Sequence, residues 1–354
     1  MTFEIKEFDY RNADESSYFA LNACRNQIRS EALPDDPPIT LEETIQGLKN
    51  FPTFMDMTFW VAMDGETVAA YSNVILPQDD NPHMGQFAIS VLPAYRLQGL
   101  GKQFLLKIYQ VAEANRRRLL ITNTRSRIPA GEAFMARIGA EKGLEGHTNQ
   151  LVIADLDTNL LQAWLERAKE RGSGFETGMW DGPYPDEYIS EIIDLHDLLN
   201  QQPFGDIDIE DMKFTEENIR QREKSLFSQG YKRWTLFVRD VESGAFAGYT
   251  EIDWNPNRPE IIDQGITGVF PEFRNKGLGR WLKAEMLARI LAERPDAKYI
   301  RTDNADTNAP MMKINTELGF KPYTSNALWQ VETRVVGEYL AANKRSRRIS
   351  DSGE

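Results

Sequence analysis

The sequence predicts a mixed α/β protein built as two copies of one domain, each a sheet flanked by helices. Three observations carry this reading. A glycine-rich motif occurs twice, one domain length apart: VLPAYRLQGLG at 91–101 and VFPEFRNKGLG at 269–279. The same order of strand-like and helix-like segments surrounds each copy. The composition is globular and the chain is long enough for two domains: 354 residues, 41% hydrophobic and 27% charged.

The elements follow in order. FEIKEF (3–8) opens the first copy as a short strand, and GFETGMW (174–180) opens the second. Two helical stretches come next, at about 14–30 and 41–50 in one copy and about 184–201 and 215–229 in the other. Then comes a hairpin. In MTFWVAMDGETVAAYSNVIL (57–76) it turns at Asp64-Gly65, a strong two-residue hairpin signal. In RWTLFVRDVESGAFAGYTEIDW (233–254) the turn is longer, at Glu242-Ser243-Gly244. A fourth strand, GQFAISV (85–91) or DQGITGV (263–269), runs into the motif. The motif opens a helix with apolar residues at i, i+3, i+4 spacing: Leu100, Phe104, Leu105 and Ile108, or Leu278, Leu282, Met286 and Ile290. A fifth strand follows, RRLLITN (117–123) or AKYIRTD (297–303), then a short helix stopped by Gly139 or Gly319 as a left-handed cap, then a last strand.

The stretch TNLLQAWLERAKER (158–171) is a helical connector ending at Gly172-Ser173-Gly174. The expected domains are therefore 1–155 and 174–340, joined by a linker at 156–173. A charged tail, 341–354, carries Lys344, Arg345, Arg347 and Arg348 and reads as a frayed, solvated terminus.

Charge and composition exclude several classes. With 54 acidic and 41 basic residues the net charge is −13, so no nucleic-acid partner is expected, because such binding needs Lys and Arg to displace counterions. The single cysteine, Cys24, rules out an intrachain disulfide and a cysteine zinc site, and the three histidines show no metal-ligand spacing, so no metal is expected. The charged N-terminus and the lack of a run of about 18 apolar residues point to a cytoplasmic protein with no membrane partner.

The repeated R-x-x-G-x-G stands between a strand and a helix. Glycines there let backbone N–H groups crowd around one point, and the helix start adds unpaired donors and a positive dipole end. The product is a pyrophosphate cradle, to which Arg96 and Arg274 are expected to add charge. A dinucleotide-binding turn is disfavoured. It wants a third glycine and sits on the first strand of its βαβ unit, whereas this motif follows the fourth strand.

Strand-V-x-P-x-x-R-x-x-G-L-G-helix resembles the acetyl-CoA signature of the GNAT superfamily of N-acetyltransferases. NAPMMKINTELGF (308–320) is similar to that family's N-x-x-A-x-x-x-Y/N-x-x-x-G-F motif. Two copies in one chain resemble the mycothiol synthase type. The resemblance implies a mixed, V-shaped sheet in each half, its fourth and fifth strands splayed to take the pantetheine arm of acetyl-CoA. It implies backbone hydrogen bonds to that arm from Val91 and Val269. Gln98, Gly99, Leu100, Gly101 and Lys102, and Lys276, Gly277, Leu278, Gly279 and Arg280, would hold the pyrophosphate. Asn308 would contact the cofactor; an N-cap role for it is compatible.

Amide formation needs a base to free the amine, and commonly an acid for the leaving thiolate. The family's base lies eleven residues before the signature arginine, which is Asp263 in the second half and Gly85 in the first. Glu251 and Asp253 share the parity of Asp263 and compete for the role. The family's tyrosine acid is replaced by Asn315 and Met135. Tyr249 or Tyr323 is left as substitute, or no acid at all, since a thiol of pKa about 8.5 is a tolerable leaving group. The first half also has Ile128 in place of Asn308, and is expected to be a non-catalytic scaffold or cofactor-binding remnant. The acidic run Asp206, Asp208, Glu210 and Asp211 reads either as a solvated loop or as a trap for a cationic amine. The function expected is acetyl transfer to the primary amine of a small-molecule acceptor, by a monomer or homodimer. The alternative is a non-catalytic acyl-CoA-binding or regulatory protein on the same fold.

Overall fold

The structure, a computed structural model, describes residues 3–351. The first repeat contributes β1 (Glu4–Glu7), α1 (Glu15–Ala32), α2 (Leu41–Lys49), β2 (Met55–Asp64), β3 (Thr67–Pro77), β4 (Met84–Val91), α3 (Leu100–Ala114), β5 (Leu119–Arg125), α4 (Pro129–Arg137), β6 (Glu141–Val152) and α5 (Thr158–Arg171). The second contributes β7 (Phe175–Asp181), α6 (Ile189–His196), α7 (Glu216–Ser228), β8 (Lys232–Asp240), β9 (Phe246–Trp254), β10 (Ile261–Val269), α8 (Leu278–Glu293), β11 (Tyr299–Ala305), α9 (Ala309–Glu317), β12 (Lys321–Glu332) and α10 (Thr333–Asp351). The expected order is all present. Local chemistry starts the helices: Asp14 accepts from Ser17 N at 2.7 Å ahead of α1, and Thr40 with Glu43 forms a capping box on α2.

Two compact units emerge, and neither is one of the contiguous stretches 1–155 and 174–340. The first unit is Met1–Glu145 with Phe204–Asp211 and Asn326–Glu354; the second is Gly146–Pro203 with Met212–Ser325. The cause is an exchange of last strands. Asn326–Glu332 of β12 pairs antiparallel with β5, and Gly146–Val152 of β6 pairs antiparallel with β11. The strand order is β1-β2-β3-β4-β5-β12 in the first unit and β7-β8-β9-β10-β11-β6 in the second. The helix after each exchanged strand follows it: α5 packs on α8, and α10 packs on α3. The tail is helical to Asp351, and the side chains of Lys344, Arg345, Arg347 and Arg348 lie outside the described residues.

Each sheet has the expected notch. β4 and β5 pair in parallel only over Met84–Gln86, and β10 and β11 only over Ile261–Asp263. Beyond those residues the strands part. In the first unit, Phe104, Leu105 and Ile108 of α3 close one sheet face against Val74 and Leu120; Tyr18 and Leu21 of α1 close the other against Phe59 and Val61. The second unit repeats the plan, with α8 on one face and α6 and α7 on the other.

One irregularity separates the units. Against β9, the register of β10 slips between Gln264 and Thr267, which face Ile252 and Thr250. β10 therefore carries an extra residue, a β-bulge, where β4 runs regularly against β3. The bulge corrects the count made from the sequence. Asp263 pairs with Arg301 on β11, as Gln86 pairs with Ile121 on β5. The counterpart of Asp263 is Gln86, not Gly85.

The acidic run is also corrected. Phe204–Asp211 belongs to the first unit. Asp208 pairs with Arg118 at 2.7 Å, which holds its carboxyl below the usual range. Asn81 exchanges hydrogen bonds with the backbone of Glu210 at 3.1 and 2.7 Å, and Ile207 packs with Met84, Leu119 and Ile121. The run is a docked strap, neither a free loop nor an amine trap on the second unit. Among the described residues no helix is long and apolar enough to cross a membrane, and no three His, Cys, Asp or Glu side chains gather as metal ligands.

Candidate active site

Each fourth strand passes through a single 3-10 turn, Pro93–Tyr95 or Pro271–Phe273, into the motif helix. Two left-handed residues shape each helix start: Leu97 and Gly99 at φ +61° and +86°, Asn275 and Gly277 at +64° and +85°. A Cβ on Gly99 or Gly277 would meet nothing within 4 Å, so glycine serves the backbone angle and leaves open space before the first turn. Gly101 and Gly279 serve packing instead. A Cβ there would meet Phe134 of α4 at 3.4 Å, or Ile314 of α9 at 3.8 Å. Leu100 and Leu278 are buried anchors.

The motif arginines do not face the cradle, contrary to expectation. Arg96 Nε donates to the Val91 carbonyl at 3.1 Å, and its Nη atoms grip Glu31 of α1. Arg274 Nε donates to the Val269 carbonyl at 3.0 Å, and Nη2 donates to Gln201. Both arginines tie the strand end to the helix layer beside it. Gln98 turns back onto the Ala94 carbonyl at 2.9 Å, and Lys102 stands in the first turn of α3. The Lys276 ammonium lies 5.1 Å from the Phe175 ring centre and 5.2 Å from that of Phe273. Arg280 lies 5.3 Å over Trp164 and makes a bidentate pair with Glu317 at 2.9 Å. Asn308 takes its capping role, accepting from Met311 N at 3.4 Å.

On the face of the second sheet covered by α6 and α7, β9 presents Tyr249, Glu251 and Asp253. Across from them on β8 stand Phe237, Thr235 and Arg233. Glu251 is held on all sides. It accepts from the hydroxyls of Tyr184 and Thr235, the latter at 2.6 Å, and lies 3.7 Å from Arg233 Nε. Arg233 also grips Glu223 of α7, and its guanidinium lies 3.7 Å over the Tyr184 ring. Burial and then the Glu251 charge raise the Tyr184 hydroxyl well above its ordinary pKa. Two hydroxyls and a guanidinium thus share the Glu251 carboxylate.

Asp253 stands directly across from Asp263. Burial, then the Asp263 and Glu251 charges, push the Asp253 carboxyl up to about 8. Asp253 is therefore protonated at neutral pH, and the exposed Asp263 is the member of the pair open to solvent. The pair lies where β10 and β11 part. Tyr249 is buried, and its hydroxyl has no hydrogen-bond partner. It stacks on His196, whose Nδ1–H donates to the Ile192 carbonyl at 2.9 Å and whose pKa burial lowers. Asn315 donates to Asn304 at 2.7 Å and leaves its own Oδ1 without a partner, so it supplies no proton in a tyrosine's manner.

Behind the bulge, on the α8 side, lies a group the sequence did not single out. Lys283, 1% exposed, donates to Gln264 at 2.7 Å; Gln264 donates to Thr250 at 3.1 Å; and Thr250 shares a hydrogen with Thr267 at 2.7 Å. This chain spans both ends of the bulge. Burial lowers the Lys283 pKa to about 7. The signal available was a lysine on the apolar stripe of α8. Glu223 and Arg233 were missed because they meet Glu251 only through tertiary folding, although the parity of Arg233 and Thr235 on β8 matched that of Glu251.

Two parted sheets, each with a glycine-shaped helix start at the mouth of its notch, define an acyltransferase-type fold present twice. Residues 22–139 match the model of the acetyltransferase (GNAT) family. Among solved structures, a tandem GNAT protein from the clavulanic acid biosynthesis pathway is 22% identical with a TM-score of 0.74, over 94% of this chain and 99% of that one. A GCN5-related N-acetyltransferase from Sphaerobacter thermophilus is 14% identical with a TM-score of 0.65, over 94% and 96%. A glucosamine N-acetyltransferase region of a fungal multi-domain GH3 β-N-acetylglucosaminidase is 14% identical with a TM-score of 0.63, over 93% of this chain and 38% of that one. A search of curated proteins gives no match. The family model thus matches about a third of the chain, within the first repeat, and the likeness to the tandem GNAT protein shows a shared fold across both repeats. The sequence match falls on the repeat whose motifs depart further from the family's pattern.

Proposed function

We propose that the second unit transfers an acetyl group from acetyl-CoA to the primary amine of a small-molecule acceptor, and that the first unit is not catalytic. The observation that carries this reading is the Asp253–Asp263 pair at the parting of β10 and β11. Asp253, with its proton, leaves one negative charge for the two carboxyls, and Asp263 carries it toward solvent. That charge attracts an ammonium and then takes its proton. The amine nitrogen forms a bond to the thioester carbonyl carbon, the carbon–sulfur bond breaks, and CoA leaves as the thiolate. Going from ammonium to amide the nitrogen gives up two protons: Asp263 passes the first to solvent before the attack, then takes the second as the amide forms, and solvent removes that one in turn. Glu251 and its partners Arg233, Thr235 and Tyr184 keep the neighbouring wall rigid. Gly277 and the first turn of α8 offer N–H groups to the cofactor's pyrophosphate.

The test is release of CoA thiol from acetyl-CoA across a panel of amines, with wild type and Asp263→Asn. Turnover with at least one amine, and its loss in the variant with acetyl-CoA affinity retained, supports the reading. Equal turnover in both chains removes Asp263 from the mechanism. Tight acetyl-CoA binding with no acceptor turned over favours an acyl-CoA-binding protein.

A further inference from the structure

A cavity of about 250 Å³ opens beside the start of α8. Small-molecule sites usually run to roughly 300–1,000 Å³, so this one has room for one end of a ligand and not for a whole cofactor. Trp164 and Arg167 of the linker helix α5 form one wall; Lys276, Gly277, Arg280 and Trp281 form the other. The charges are not equivalent. Arg280 is neutralised by Glu317 and stacked on Trp164. Arg167 is exposed and makes no ion pair among the described residues, whereas Lys276 stands over the Phe175 and Phe273 rings and within electrostatic reach of Asp240. The Trp281 indole is seated on a glycine: a Cβ on Gly172, where α5 ends, would fall 2.6 Å from its ring. The ring is thus fixed in place before any ligand arrives.

The combination is a flat apolar surface beside an exposed cation, Arg167, that is open to an anion. It fits a heteroaromatic ring that carries a phosphate a few bonds away. CoA has that chemistry at the end remote from its thiol. We propose that α5, a helix outside the repeated β-α-α-β-β-β-α-β-α core, walls a subsite for the 3′-phosphoadenosine end of CoA, with adenine against Trp281 and the 3′-phosphate on Arg167. The proposal rests on the reading that the second unit takes acetyl-CoA. It belongs to that unit's sequence: the first repeat has Gln103 at the position of Trp281 and Gln98 at that of Lys276.

The test compares the affinities of CoA and 3′-dephospho-CoA by calorimetry, in a full-length chain carrying Gly99→Glu so that only the second unit reads. Arg167→Ala is expected to weaken CoA about tenfold, as loss of a charge-assisted hydrogen bond does, and to leave 3′-dephospho-CoA unchanged. Trp281→Gln is expected to weaken both ligands alike. The subsite is overturned if Arg167→Ala weakens neither ligand or both equally, while Gly277→Glu still abolishes binding. If CoA fails to bind the Gly99→Glu chain, or binding survives Gly277→Glu, the second-unit reading itself fails and takes the subsite with it.

Discussion

The same sheet face is built twice, once dry and once charged. In the first unit, β2 and β3 present Met57, Phe59, Asn73 and Ile75, with Phe59 across from Asn73 and Met57 from Ile75. Met57 and Phe59 are buried with Tyr18, Leu21 and Leu48 of α1 and α2. At the corresponding positions of the second unit stand Arg233, Thr235, Glu251 and Asp253. The opposite face differs in the same direction, with Leu105, Phe87, Ser72 and Ile89 in one unit and Lys283, Gln264, Thr250 and Thr267 in the other. Buried charge costs stability, and the first unit shows that an apolar solution fits this backbone. The second unit's polar groups are therefore better explained by work at the site than by folding.

Four changes would break or sharpen this contrast. The largest effect is expected at the helix starts. Gly277→Glu puts a carboxylate into the open space before α8 and should abolish turnover, whereas Gly99→Glu should leave kcat within a few-fold; the two are compared by thiol release, with folding checked by circular dichroism. If Gly99→Glu is the variant that kills turnover, the division between the units is reversed.

Next comes the carboxyl pair. Asp263→Asn keeps the volume and removes the basicity, so kcat should fall by about 10²–10⁴-fold. The loss should shrink as pH rises, because more of the acceptor amine arrives already deprotonated. A pH profile in which the deficit is constant from 6 to 9 would speak against a base at this position.

Arg233→Met installs the residue of the first unit, leaves Glu251 without its cation and leaves Glu223 with Arg220 as its remaining one. Breaking a buried pair in this way typically costs about 3–5 kcal/mol, read from denaturant midpoints. A cost below about 1 kcal/mol would mean that the network is solvated and contributes no rigidity.

The smallest effect is expected at Lys283→Leu, and only its pH dependence is diagnostic. The folded-state pKa is lowered to about 7 from an ordinary value of 10.5. Between those values the unfolded chain holds a proton that the folded chain has released. The burden on folding is thus fully present below about pH 7, and is relieved as pH rises toward 10. Wild type should gain stability relative to Lys283→Leu over that window in thermal melts at matched pH. Parallel curves would show that Lys283 stays charged in the fold.

Much of the fold was legible because the motif repeats: once Val91–Gly101 and Val269–Gly279 were aligned, each neighbouring element had a twin. The same symmetry concealed the exchange of last strands. β6 and β12 are interchangeable as local sequence, and only pairing geometry tells which of them closes β5. The bulge was hidden because one extra residue in a strand leaves no mark in composition; Gly265 was its sole trace. Gly99 and Gly277 were conspicuous in the sequence, and both stand at a positive φ, which favours that residue type. The arginines beside them turn elsewhere, Arg96 to the Glu31 carboxylate and Arg274 to the Gln201 amide oxygen, because a guanidinium serves either as readily as a phosphate. Asp263 was found by its distance from the signature arginine and Asp253 by parity with it; that the two stand directly across from each other needed the strand register.

The exchanged strands also govern how the protein is made. β6 leaves the ribosome early, yet its partner β11 is about 150 residues behind it, a wait of roughly eight to thirty seconds at 5–20 residues per second. β5 waits longer still, for β12. Until β11 emerges β6 carries an open ladder of unpaired backbone groups, and until β12 emerges so does β5, the kind of edge along which chains aggregate. Neither repeat can be finished and set aside while the other is translated, so the two are completed almost together. A stop codon or a protease cut ahead of residue 326 would cost the first unit its closing strand, although every residue of its own repeat had already been made.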